Sequence, residues 1–168
     1  MTTEESGAGR AFGAVLDGAA TVAMAIASTL MTVLIVIFSW LVFGRYVLNA
    51  TPTWVEQVSL LIVVWITFLG AAVGIRRKTH LAVDFIREGL PRPIRNTLAY
   101  FAVIALCAFG IVMAWQGWVM LERTMQREIP MLGVSEGWRS VPVIVSGVMI
   151  ALFTFDDLRR AIFHGKAL

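Results

Sequence analysis

Cysteine, histidine and charge are what this chain has least of, and each shortage removes a class of function. The 168 residues include a single cysteine, Cys107, which excludes an intramolecular disulfide and any CxxC redox pair. It reads as a small apolar packing residue. The two histidines, His80 and His164, both lie outside the apolar segments, so a bis-histidine haem inside a helical bundle has no ligands. Charged residues make up 15% of the chain, and none falls deep in an apolar run, where a carrier or small exporter keeps its functional carboxylate. No cofactor, metal or enzymatic chemistry is expected. There is also no internal repeat, the mark of the inverted duplication in many complete transporters. A chain so equipped is poorly suited to bind an ion or polar substrate alone, which points to an accessory or scaffold role beside a larger partner.

What the chain does have is apolar length. Hydrophobic residues make up 58% and the mean hydropathy is +0.79, far beyond a soluble domain. Four stretches carry no charge: between Asp17 and Arg45, Glu56 and Arg76, Arg95 and Glu122, and Arg139 and Asp156. The second steps 20 residues, about 30 Å as a helix, which is the thickness of a bilayer core. The fold expected is an all-α integral membrane protein, a single domain over 1–168 with four transmembrane helices at about 18–44, 54–76, 96–121 and 136–158. The last run is short, so its helix is expected to start near Ser135 or Glu136, with Pro142 in its first turns. The first run is too long for a signal peptide and follows Glu4 and Glu5, so it is expected to remain in the mature protein. Residues 1–17 read as a loosely ordered polar tail, and Ala19, Ala23 and Ala27 as a small-residue stripe on the first helix.

The net charge of +3 is a topology signal and not a nucleic-acid footprint. Ten of the 14 Lys and Arg residues fall in the N-terminal tail, the second loop and the C-terminal tail, leaving Arg45, Arg123, Arg127 and Arg139 on the other side. By the positive-inside rule both termini are cytoplasmic, with anionic lipid as the nearest partner of the basic side. Trp40, Trp54, Trp115, Trp118 and Trp138 all lie toward the opposite face, as interfacial anchors or as a rim that meets a partner. Trp65 alone sits mid-membrane, and its indole N–H favours a protein interface over bare lipid.

The stretch from Thr53 to Asp84 is the most informative. Thr53 and Glu56 fit a capping box, so Glu56 either closes that cap or also reaches a partner. Gly70 and Gly74 form a GxxxG step that lets another helix approach closely. Arg76, Arg77 and Lys78 read as topology charges among lipid headgroups, and Arg45 and Tyr46 as an anchor at the other interface, Arg45 snorkelling to the headgroups there. Beyond them, Leu81, Phe85, Ile86 and Leu90 recur at helical spacing, which predicts a short amphipathic helix in the cytoplasmic loop, 77–95. His80 and Asp84 cap that helix, pair with each other, or contact a partner. The loop at 122–135 leads toward Gly137 and presents a shaped outer surface.

In order and spacing, Arg45-Tyr46-Val47-Leu48-Asn49, Trp54-Val55-Glu56, Trp65, Leu69-Gly70-Ala71-Ala72, His80-Leu81-Ala82-Val83-Asp84, Leu90-Pro91, Leu132-Gly133-Val134 and Val141-Pro142-Val143 resemble one family. It is the small membrane (DctQ-type) subunit of tripartite ATP-independent periplasmic (TRAP) transporters. The family often has two adjacent acids after the tryptophan, where this chain has Glu56 and Gln57. The resemblance implies a bacterial inner-membrane subunit that binds a large membrane subunit holding the sodium and substrate sites. That subunit works by an elevator motion while a periplasmic substrate-binding protein delivers an organic acid. Trp54, Glu56, Gln57, Trp65, Gly70, Gly74, His80 and Asp84 are the positions expected to face partners. Two rival readings remain: a membrane anchor for a redox complex, and a self-sufficient oligomeric exporter.

Overall fold

A computed structural model describes residues 7–49, 53–77, 92–129 and 133–164. Four long helices account for nearly all of them: α1 (Gly7–Tyr46), α2 (Thr53–Arg76), α3 (Arg92–Thr124) and α4 (Val141–His164), with a 3₁₀ turn (Glu136–Arg139) just before α4. Each is long and apolar enough to cross a membrane. Among the described residues the only β feature is an isolated bridge between Glu128 and Ser135. Lys78, His80, Asp84 and the segment expected to form the amphipathic helix lie outside the described residues.

The helices pack in the order α1, α2, α4, α3, each against the next, with α1 reaching α4 only marginally. The inner pair is the more buried: 28% of the most apolar window of α2 and 39% of that of α4 are covered, against 6% for α1 and α3. The start of α1, the end of α2, the start of α3 and the end of α4 share one end of the bundle, here the terminal end. The two connections, 47–52 and 125–140, share the other, the hairpin end. Asn49 takes the left-handed conformation there, at φ 50°, which its short polar side chain tolerates in a tight turn.

Lipid gives helices no hydrophobic reason to associate, so close backbone approach and polar ties must hold them. On α3 and α4 the approach is closest. A Cβ added at Gly147 would lie 2.7 Å from the Ala114 amide nitrogen, and one at Gly110 would lie 2.8 Å from that of Ala151. Between α1 and α2, Ala23 and Ala27 pack on Leu69 and Val73, with Trp65 and Met149 against them. The stripe on α1 therefore differs from the expected one: Leu16, Ala20, Ala23 and Ala27 are buried, whereas Ala19 is exposed. A strict step of four overshoots each turn by about 40°, while alternating four and three stays on one face. Hydroxyls facing outward are satisfied within their own helices, as where Thr29 donates to the Ala25 carbonyl and Thr67 to that of Val63, so they can face hydrocarbon.

Two departures concern helix ends. Residues from Gly7 onward, expected as loose tail, continue α1, which at 40 residues is about 60 Å long, roughly twice a bilayer core. Intrinsic propensity does not explain this, because Gly7, Gly9, Gly13 and Gly18 each cost about 1 kcal/mol relative to alanine. Docking on α4 does, through Phe12, Leu16 and Ala20 against Phe153. At the start of α4, the 3₁₀ turn is capped by Ser135, whose hydroxyl accepts from the Gly137 amide at 3.1 Å. Pro142 then sits in the first turn, where its missing N–H leaves no bond unmade.

Candidate functional site

The periodicity of α2 places Leu69, Val73 and Arg76 on one buried face. Arg76 therefore points inward at the terminal end, while Arg77, about 100° further round, is exposed. The Arg76 side chain is only 7% exposed. Its Nε donates to Asp17 Oδ1 at 2.8 Å and its Nη1 to Asp156 Oδ2 at 2.9 Å, with Asp157 at 3.9 Å and the Gly13 carbonyl at 3.5 Å. Three helices thus meet on one guanidinium: α1 through Asp17 and Gly13, α2 through Arg76 itself, and α4 through Asp156. The ring of Phe153 lies under it, 5.6 Å from Cζ to the centroid.

Asp156 is fully buried and gathers two more cations from its own helix. Arg159 and Arg160, three and four residues on, share its face: Arg159 Nη2 is 3.3 Å from Oδ1 and Arg160 Nη2 is 3.0 Å from Oδ2. Arg159 also donates to the Gly9 carbonyl at 3.2 Å and covers the Phe12 ring. Three guanidiniums and three carboxylates make the cluster neutral, which is what lets such charges leave water. Each of its cations is engaged by a carboxylate, so the cluster is built to hold helices in register. No group of three or more His, Cys, Asp or Glu among the described residues is arranged to hold a metal.

At the hairpin end a single arginine does related work. Arg139, from the turn before α4, donates through Nη2 to Gln57 Oε1 at 2.7 Å and lies 3.7 Å from Glu136. Its Nε is buried without a protein partner. The described residues on the two sides of the adjoining loop bond to each other: the Ile129 amide donates to the Val134 carbonyl at 2.8 Å, and the Glu136 amide to that of Arg127 at 2.7 Å. Ile129, 2% exposed, anchors it from within. Trp40, Trp54, Trp115, Trp118 and Trp138 surround this end, all largely exposed.

The positions singled out in the sequence are strung along α2 and do not converge on one pocket. Trp54 and Glu56 are exposed near its start, and Gln57 is half-buried against Arg139. Trp65 packs against the chain's own α1–α2 core. Gly70 is exposed, with nothing within 4 Å of the place a Cβ would take, and Gly74 is half-buried. Arg45 and Tyr46 are exposed at the end of α1. Arg76 departs most from expectation, facing carboxylates instead of headgroups. Its partners Asp17 and Asp156, and Arg159 and Arg160 that share Asp156 with it, are not among those positions, although the sequence carries one signal for them: acids flank the first and fourth apolar runs at the very end where Arg76 closes the second.

Four apolar helices, tied at both ends by ion pairs or hydrogen bonds, define a multi-pass membrane protein whose polar groups serve its own assembly. Its sequence relationships say which one. The chain belongs to the DctQ component of the tripartite ATP-independent periplasmic transporters, whose family model matches residues 33–164. It is thus a small, non-enzymatic permease subunit of that transporter class. It is 28% identical over 130 residues to a sialic acid TRAP transporter small permease protein of Vibrio cholerae, covering 77% of this chain and 75% of that one. To a C4-dicarboxylate TRAP transporter small permease protein of the same organism it is 30% identical over 148 residues, covering 74% and 64% respectively. It is also 30% identical over 90 residues to a sialic acid TRAP transporter permease protein of Haemophilus influenzae, covering 48% of this chain but only 15% of that much longer protein.

Proposed function

We propose that this subunit is a fixed scaffold for the large membrane subunit of a sodium-coupled transporter. In this reading the pair takes up a small organic acid, delivered by a periplasmic binding protein, across a bacterial inner membrane. Both termini lie in the cytoplasm, so the terminal end is the cytoplasmic one; the distribution of Lys and Arg supports this. The carrying observation is that the most deeply buried charges among the described residues, Arg76 and Asp156, tie helix to helix, as a fixed scaffold requires. Two relatives bear the names of sialic acid and C4-dicarboxylates, both organic acids. The Haemophilus permease, in which a stretch like this chain is part of a far longer protein, supports a large partner lying directly against this one.

Gly70, open on the free face of α2, is the proposed point of close approach for a helix of that partner, with Trp54 and Glu56 nearer the periplasmic side. The test is co-expression with the large subunit and purification through a tag on this chain alone. A one-to-one complex that takes up substrate in liposomes only with sodium and the binding protein is the expected result. Purification of this chain alone as an oligomer, or with a redox partner, would overturn the reading. Gly70→Leu should leave the chain itself folded, since none of the described residues lies within 4 Å of the place a Cβ would take, yet lower both co-purification and uptake. Parental co-purification and uptake by that variant would remove Gly70 from the interface.

A further inference from the structure

We propose that the terminal ion cluster is a latch: Arg76 and the arginines of α4 dock the first three turns of α1 as a helical arm, and the arm releases as a unit when the latch opens. The arm lies beyond the apolar run of α1 and is rich in glycine, so it is helical for a tertiary reason. Among the described residues, its polar ties are to two guanidiniums. Arg159 reaches the Gly9 carbonyl and Arg76 the Gly13 carbonyl, while Arg76 also takes Asp17 where the arm joins the rest of α1. Its apolar ties, Phe12 and Leu16, rest on Arg159 and Phe153.

The glycines are what make the latch close. A Cβ at Gly13 would collide with the Arg160 guanidinium, and one at Gly9 would sit 3.2 Å from Arg159. Bare backbone at these two turns lets the arginines reach α1. Gly18, one turn further on, has open space around it. A helix that needed only stability would gain from alanine at any of the three. In a latch that gain is opposed at Gly13, because the added methyl pushes the Arg160 side chain, which shares Asp156 with Arg76, away from α1. The rest of α1 is held separately, through Ala23 and Ala27 on Leu69 and Val73, so the arm can leave without taking the membrane part along.

The experiment uses the full-length chain in mild detergent, with Cys107→Ser as background and one reporter thiol at a time. Leu16→Cys, where the parent side chain is 5% exposed, reports on the arm, and Ser59→Cys, at 3%, on the membrane core. Maleimide labelling of the arm thiol is expected to rise at least about tenfold with Arg76→Gln while the core thiol stays protected, the pattern of local opening. Gly13→Ala should also speed labelling of the arm thiol, and Gly18→Ala should not. Unchanged protection of the arm thiol in Arg76→Gln would overturn the latch, as would exposure of both thiols together, which means that Arg76 holds the whole fold. Slower labelling of the arm in Gly13→Ala would also overturn it, because helix propensity would then govern the arm.

Discussion

The two ends of the bundle solve one problem with very different amounts of charge. At the terminal end three arginines and three aspartates converge, with Asp156 wholly buried and Arg76 nearly so. At the hairpin end one half-buried arginine reaches a neutral glutamine, and loop hydrogen bonds with a ring of exposed tryptophans complete the structure. The difference follows from connectivity. At the hairpin end the short link 47–52 already joins α1 to α2, and the segment 125–140 joins α3 to α4. At the terminal end α1 and α4 are not consecutive helices, and Arg76 and Arg159 reach across to tie them.

The strongest way to break this contrast is Asp156→Ala. Among the described residues it leaves the buried Arg76 only the exposed Asp17 and the more distant Asp157 as acidic partners, and it removes the carboxylate that Arg159 and Arg160 share. Removing one member of a buried pair typically costs about 3–5 kcal/mol, so thermal unfolding in detergent should shift steeply downward. Asp156→Asn, which still accepts hydrogen bonds, should fall less far. A loss under about 1 kcal/mol for the alanine variant would make this end no different from a set of exposed ion pairs.

Arg139→Ala probes the other end and should cost less, about 1.5 kcal/mol for a hydrogen bond from a charged donor. The damage should stay local, seen as faster amide exchange around 136–140 with protection in α1 unchanged. If it destabilises the chain as much as Asp156→Ala, the two ends carry equal loads and connectivity is not what separates them.

The four helices are legible in the sequence because each has an uncharged run of bilayer length bounded by charge, and that pattern needs no knowledge of neighbours. The face that each helix turns inward is not legible in the same way. Along α2 nearly every position is apolar, so nothing in the pattern separates Leu69 and Val73 from the exposed Val63 and Leu60. Arg76 and Arg77 stand side by side in the basic run, and only packing shows that one enters the bundle and the other leaves it. The helical arm of α1 was hidden for a related reason: its glycines read locally as disorder, and their use as landing sites for Arg159 and Arg160 depends on residues some 150 positions away. The α3–α4 glycine seam is likewise visible only once Gly110 and Gly147 face each other, whereas the GxxxG step that the sequence does display has no neighbour at Gly70 among the described residues.

The smallest and sharpest test is Gln57→Glu, which puts the second acid of the resembling family's pattern where the glutamine stands. The carboxylate would meet the Arg139 guanidinium at the 2.7 Å contact, turning a neutral acceptor into a charged one, a gain of up to about 1 kcal/mol for a part-exposed pair. Opposing it are Glu56 next in sequence and Glu136, which already lies 3.7 Å from the same arginine. Because Arg139 is 29% exposed, screening should erase most of the gain, so the unfolding temperature should rise in low salt and return to the parental value at high salt. The same salt series should move the parent less, because the Arg76–Asp156 pair at its terminal end is buried away from mobile ions. A drop in stability at low salt would instead mean that repulsion of the new carboxylate by Glu56 and Glu136 outweighs the new pair, and that the neutral glutamine is the better partner for this arginine.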